Sequence, residues 1–126
     1  MRYALGFLNA GENKNSEVRI VELKRLDAVS FEDVIYEKGE CCLVGFSRSN
    51  CHVCQAVLPE LEAVADKYEG KIGCYYVDIE ADKDLYSRFS LKGVPTILFF
   101  KDGEYRGKMA GKVDEEQIEE KMAQLL

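Results

Sequence analysis

Cys51 and Cys54 enclose two residues, His52 and Val53, where an apolar run gives way to a helical pattern. Thiols at that spacing on a helix start lie about one turn apart, close enough to join as a disulfide. The chemistry they suggest is two-electron exchange with another disulfide. The first sulfur would face unpaired backbone N–H groups and the positive end of the helix dipole, which favour a thiolate. Cys51 is therefore the expected nucleophile, and Cys54 the thiol that resolves whatever Cys51 has attacked.

His52 admits two readings. As an imidazolium beside Cys51 it would favour the charged sulfur and tune its pKa, giving a more oxidising disulfide; as a solvated side chain it would do nothing. A metal carrier using Cys51, Cys54 and His52 is a further possibility, because thiolate and imidazole suit zinc. However, His52 adjoins Cys51 and no second Cys-x-x-Cys completes a tetrahedron. The expectation is no metal site. Cys41, Cys42 and Cys74 fall on strand-like stretches and read most simply as small buried apolar residues, with a regulatory or intermolecular disulfide as the alternative.

The rest of the chain must position this pair. Its 126 residues, 47% of them hydrophobic, suit one domain with one core. Apolar runs fall far short of the roughly 18 residues of a membrane helix, and Tyr3 to Leu8 is too brief for a secretory h-region. Five cysteines without such a signal point to a reducing compartment, and cytoplasmic location is the expectation. A net charge of −6 with no basic cluster argues against nucleic acid or anionic membrane as partners.

Tyr3 to Leu8 and Val18 to Leu23 are rich in strand formers around a polar stretch containing Gly11, which suggests a hairpin within an N-terminal extension over 1–19. Ser30-Phe31-Glu32-Asp33 resembles a capping box with Ser30 as N-cap, opening a short helix to about Lys38 that Gly39 ends. Cys42 to Phe46 reads as a strand buried on both faces. Val57, Leu58, Leu61, Val64, Ala65 and Tyr68 then recur at helical spacing, and Pro59 inside that pattern should kink it. Ile72 to Ile79 completes a strand–helix–strand unit with the cysteines at the carboxyl end of its first strand, where open sheets of this class carry their sites.

Asp82 to Phe89 should be a short helix. The apolar run Ile97 to Phe100 follows Gly93-Val94-Pro95-Thr96, and Lys101-Asp102-Gly103-Glu104 should turn it antiparallel into Tyr105 to Ala110. After Gly111, Asp114-Glu115-Glu116-Gln117 is a second capping box, opening a last helix with Ile118, Met122 and Leu125 on one face.

This order of elements, with Cys-x-x-Cys, Pro59 five residues beyond Cys54, Gly-Val-Pro-Thr about forty residues on, and Gly103 and Gly111 around the last strand, resembles the thioredoxin family. Phe31 and Phe46 also stand where that family carries phenylalanine. The likeness covers residues 20–126, the expected thioredoxin-like domain. It implies an α/β thioredoxin fold, a central mixed β-sheet flanked by helices, to which the N-terminal extension adds a strand or hairpin. It implies too a cis Pro95 facing the cysteines, with Val53, Val94, Pro95 and Gly111 as an apolar substrate-binding rim around Cys51. The implied activity is that of a protein-disulfide reductase, a thiol-disulfide oxidoreductase of cell redox homeostasis. It would act on protein disulfide substrates, be recharged by an electron-donor reductase, and need no cofactor beyond the Cys51–Cys54 couple.

The departures are specific. Asn50-Cys51-His52-Val53-Cys54 stands for the family's usual Trp-Cys-Gly-Pro-Cys, and the chain has no Trp. The buried Asp six residues before the first cysteine is Gly45, and its usual Lys partner is Tyr76. The expectation is that the Tyr76 ring fills the space above Gly45, leaving water or the departing thiolate to take the Cys54 proton. These changes motivate a competing function, a thioredoxin-fold binding or chaperone module with weak redox turnover.

Overall fold

The computed structural model describes residues 23–126. The extension over 1–19 and all but Leu23 of its expected hairpin lie outside them. Five strands form one sheet: β1 (Lys24–Arg25), β2 (Cys42–Ser47), β3 (Gly73–Asp78), β4 (Thr96–Lys101) and β5 (Glu104–Ala110). Their spatial order is β1-β3-β2-β4-β5, with β1, β3 and β2 parallel and β4 antiparallel to both its neighbours, β2 and β5. This is the mixed sheet that the resemblance implies.

β2 is the central strand, and all six of its residues are buried. Side chains alternate across a sheet, so its residues divide between two cores. Cys42, Val44 and Phe46 pack with Phe31, Ile35, Leu85 and Phe100 under α1 (Ala28–Phe31) and α3 (Lys83–Arg88). Leu43 packs with Val57, Leu61, Val64 and Ile118 under α2 (His52–Lys67) and α4 (Glu115–Leu125). The apolar stripe of α2 is the one its periodicity foretold, with Val57, Leu61 and Val64 buried and Leu58, Ala65 and Tyr68 half-buried. Pro59 lies within α2 with its ring exposed. Glu119 of α4 ties the two helices, accepting from the Tyr68 hydroxyl and pairing with Lys67, each at 2.8 Å.

The first helix differs from expectation at its start and in its type, while its end before Gly39 is as expected. Its N-cap is Asp27 rather than Ser30: the Asp27 carboxylate accepts from the Ser30 N–H at 2.9 Å, and the Ser30 hydroxyl accepts from the Asp27 N–H at 2.9 Å. Ser30 thus holds the third helical position, where its hydroxyl does the work a Glu or Gln usually does. Asp33, the acid expected to close the box, lies in a π-helical continuation over Glu32–Glu37. Gly39 ends the segment in the left-handed conformation, with φ +64°. The second capping box is as expected, Asp114 accepting from the Gln117 N–H at 2.8 Å and Gln117 returning an acceptor to the Asp114 N–H at 3.0 Å.

The β4–β5 hairpin turns on Asp102 and Gly103, both at positive φ (57° and 78°), the backbone that a two-residue hairpin needs for its twist to match the strands. The strand expected over Ile72 to Ile79 is one residue shorter at each end, and the helix expected over Asp82 to Phe89 likewise. No helix among the described residues is long and apolar enough to cross a membrane.

Candidate active site

The site is built where β2 hands the chain to α2. Phe46 pairs with Val77 on one side and Thr96 on the other, so the last turn of β2 is held along both edges. Ile79 N–H then donates to the Ser47 carbonyl at 2.9 Å, and the Ser49 hydroxyl donates to Glu80 at 3.3 Å. The short loop Arg48–Asn50 is therefore braced before it delivers Cys51.

Cys51 is the N-cap of α2, with extended backbone (φ −130°, ψ 113°), and its sulfur accepts from the Cys54 N–H at 3.2 Å. A capping sulfur in that place neutralises a donor that the helix leaves unpaired, and the donor in turn favours negative charge on the sulfur. Cys51 is 7% exposed and Cys54 1% exposed. The two thiols are driven in opposite directions. A hydrogen bond from the Cys54 side chain, the N–H groups of Cys54 and Val53 and the charge of Arg48 together outweigh burial and hold Cys51 below the usual thiol range. Burial and the neighbouring Cys51 sulfur push Cys54 up to about 11. One sulfur is ready to attack near neutral pH, and the other keeps its proton until it is needed.

Arg48 is the contributor that sequence reasoning missed. It stands three residues ahead of Cys51, its charge favours the thiolate at both sulfurs, and its backbone also hydrogen-bonds the Cys54 sulfur. His52, exposed on the first turn of α2, is not among the groups that act most on Cys51. The available signal was a cation in a loop only three residues from the nucleophile.

The space above Gly45 is also occupied differently than expected. Tyr76 pairs with Gly45 in register, yet a β-carbon on Gly45 would meet Leu61 Cδ2 at 3.0 Å and the Tyr75 carbonyl at 3.8 Å, with no Tyr76 atom among its neighbours. Leu61 of α2, fully buried, fills that space because it lies on the helix face turned toward this side of β2. No carboxylate is among the groups that act most on Cys54.

The remaining residues of the implied rim divide into two places. The Val94–Pro95 peptide is cis, and Gly111 N–H donates to the Pro95 carbonyl at 3.0 Å. Val94, Pro95 and Gly111 line one cleft of about 290 Å³. Since Phe46 pairs with Thr96, Pro95 stands level with Ser47, at the sheet end where α2 begins. Val53, 37% exposed, projects from the first turn of α2 and is not part of the cleft lining, nor is Cys51.

The other cysteines are placed as packing residues. Cys42 and Cys74 are buried on opposite faces of the sheet, and burial raises both thiols, Cys74 to about 12. Cys41 is half-buried and raised for the same reason. Among the described residues no cluster of three or more His, Cys, Asp or Glu side chains is arranged to hold a metal ion.

Comparison with known proteins agrees with this architecture. The family model for thioredoxin matches residues 22–124. The chain is 32% identical over 100 residues to mitochondrial thioredoxin of Bos taurus, covering 79% of this chain and 60% of that protein. It is 27% identical over 101 residues to the chloroplastic M-type thioredoxin of Pisum sativum, covering 80% and 59%. The chain thus spans about three fifths of the length of these curated relatives. The solved structure of a chloroplastic thioredoxin z superposes with a TM-score of 0.73 at 22% identity, over 86% of this chain and 97% of that one, a likeness of fold. These relatives correct the cytoplasmic expectation: they are proteins of chloroplasts and mitochondria. Reduced cysteines report the redox state of a compartment, which the cytosol shares with organelles, and so do not single out the cytosol. With a family model matching residues 22–124 and a dithiol at the start of α2, the chain belongs to the thioredoxin family.

Proposed function

We propose that this protein is a thiol-disulfide oxidoreductase that reduces accessible disulfides of protein substrates through Cys51 and Cys54. The observation that carries this reading is the opposed ionisation of two adjacent sulfurs, Cys51 lowered at the tip of α2 and Cys54 raised to about 11 beneath it. Cys51 thiolate attacks one sulfur of the substrate disulfide, a Cys51–substrate bond forms, and the other substrate sulfur leaves as a thiolate that takes a proton. Cys54 then gives up its proton and attacks Cys51, closing the Cys51–Cys54 disulfide and releasing the second substrate thiol. Two electrons pass to the substrate in each cycle. A dithiol donor reverses the exchange and recharges the pair, in keeping with a reductase as partner.

Arg48 raises the share of each cysteine present as the attacking thiolate, since its charge favours the ionised form of both sulfurs. Val94, Pro95 and Gly111 offer the surface on which an extended substrate segment is held while its sulfur meets Cys51. The test is insulin-disulfide reduction with dithiothreitol, comparing the wild type with Cys51→Ser. Turnover lost in the variant supports the reading, and equal rates in both overturn it.

One observation favours a second reading. Leu61 packs against Gly45, where the family usually carries a buried Asp, and no carboxylate among the described residues is among the groups that act most on Cys54, so the mixed disulfide should be long-lived. A module that holds partners covalently, with slow release, is the alternative. Single-turnover kinetics of the mixed disulfide separate the two.

A further inference from the structure

The cleft at the Pro95 end of the sheet is not electrically neutral. Its lining is Leu91, Gly93, Val94, Pro95, Thr96, Ala110 and Gly111 together with two lysines, and contains no carboxylate. Lys92 enters from the loop between α3 and β4, and Lys108 from β5, where it pairs with Leu98. Elsewhere in the fold all the arginines of the strands and of α3 are paired with carboxylates: Arg25 with Asp82, Arg88 with Glu32, Arg106 with Glu104. Lys92 and Lys108 are exposed, and neither has an ion pair or side-chain hydrogen bond among the described residues. Lys112, exposed, follows Gly111 in the chain.

This cationic corner belongs to a chain whose net charge is −6. An acidic partner is repelled by the molecule as a whole and attracted only where uncompensated ammonium groups are concentrated, which orients its approach. The cleft is small, about 290 Å³, at the lower limit of the roughly 300 to 1,000 Å³ of small-molecule sites. It suits a few side chains of a peptide segment better than a whole cofactor. Its apolar floor beside Pro95 and its two ammonium groups match a segment that alternates apolar residues with carboxylates.

We propose that Lys92 and Lys108 select protein substrates whose scissile disulfide is flanked by acidic residues. The inference rests on the oxidoreductase reading and deepens it, by naming the substrate class of the same site.

The test compares two disulfide peptides that differ only in flanks of Glu or of Lys. The wild type should reduce the Glu-flanked peptide with the higher kcat/KM, and the preference should shrink as salt is raised. Each exposed charge pair contributes roughly a two- to fivefold effect, so the K92E/K108E double variant should shift the ratio by about tenfold or more toward the Lys-flanked peptide. Lys71→Glu serves as control, because Lys71 precedes β3 at the opposite end of the sheet and should leave the ratio unchanged. An unchanged ratio in the double variant overturns the proposal. Fluorescence anisotropy with the Glu-flanked peptide, its cysteines replaced by Ser, reads selection without chemistry. Binding that K92E/K108E abolishes, without turnover by the wild type, upholds the charge selection and overturns the oxidoreductase reading. Turnover with no preference between the peptides does the reverse.

Discussion

Leu61 Cδ2 lies 3.0 Å from the point that a β-carbon on Gly45 would occupy, so helix α2 and strand β2 meet closely at a glycine. Gly45 stands where the likeness to thioredoxins implies a buried Asp, so this approach bears on what could assist Cys54. A fully buried leucine fills the space, and an apolar side chain can accept no proton. Leu61→Ala should cost about 2 to 5 kcal/mol by leaving a cavity, and Gly45→Asp about 1 to 3 kcal/mol by crowding, both read from urea unfolding. The combination Gly45→Asp with Leu61→Ala makes room for a carboxylate. In stopped-flow single turnovers it should resolve the mixed disulfide at least about tenfold faster than Leu61→Ala alone. Equal rates would show that Cys54 needs no base.

The two sulfurs should titrate apart. A lowered pKa means that the reactive thiolate of Cys51 is already forming below the ordinary thiol range, and it grows as pH rises through that lowered value. Cys54 gains its thiolate only near pH 11. Iodoacetamide labelling of the reduced protein, read by mass spectrometry, should mark Cys51 first at neutral pH and leave Cys54 unmarked until strongly alkaline solution. Labelling of both at one rate would contradict this ordering.

Arg48→Ala should move the Cys51 labelling curve to higher pH, because the charge removed favours the thiolate. The exposed position of Arg48 limits the effect to roughly a two- to fivefold loss of rate at neutral pH, with rates converging where the sulfur is fully ionised. Arg48→Lys should restore most of the loss. Raised salt should weaken the wild type toward the alanine variant.

The cap of α4 offers a stability test remote from the sulfurs. Asp114→Ala removes the acceptor of the Gln117 N–H and should cost about 1 kcal/mol in thermal or urea unfolding, with Cys51 labelling unchanged. A substitution to Asn should recover most of it.

Some of this was legible in residue types alone. The Cys51–Cys54 spacing, the Asp102-Gly103 turn and the Asp114–Gln117 box each depend on neighbours within a few positions, and each forms as its local chemistry dictates. The first helix was misread because Ser30 followed by Asp33 and Asp27 followed by Ser30 offer the same kind of box, and only the geometry favours the earlier one. That Leu61 rather than Tyr76 covers Gly45 depends on how α2 lies across β2, which spacing along the chain does not encode. Arg48 was missed for a related reason: a loop cation acquires meaning only when its orientation toward the sulfurs is known.

The clamping of β2 along both edges has a further effect on recognition. A nucleophile suspended four residues beyond so fixed a strand loses little freedom when it is engaged. The entropy lost in ordering the encounter therefore falls on the incoming polypeptide. Disulfides in mobile loops or partly unfolded chains, able to bend toward a stationary sulfur, should be reduced readily, while those embedded in rigid surfaces go untouched.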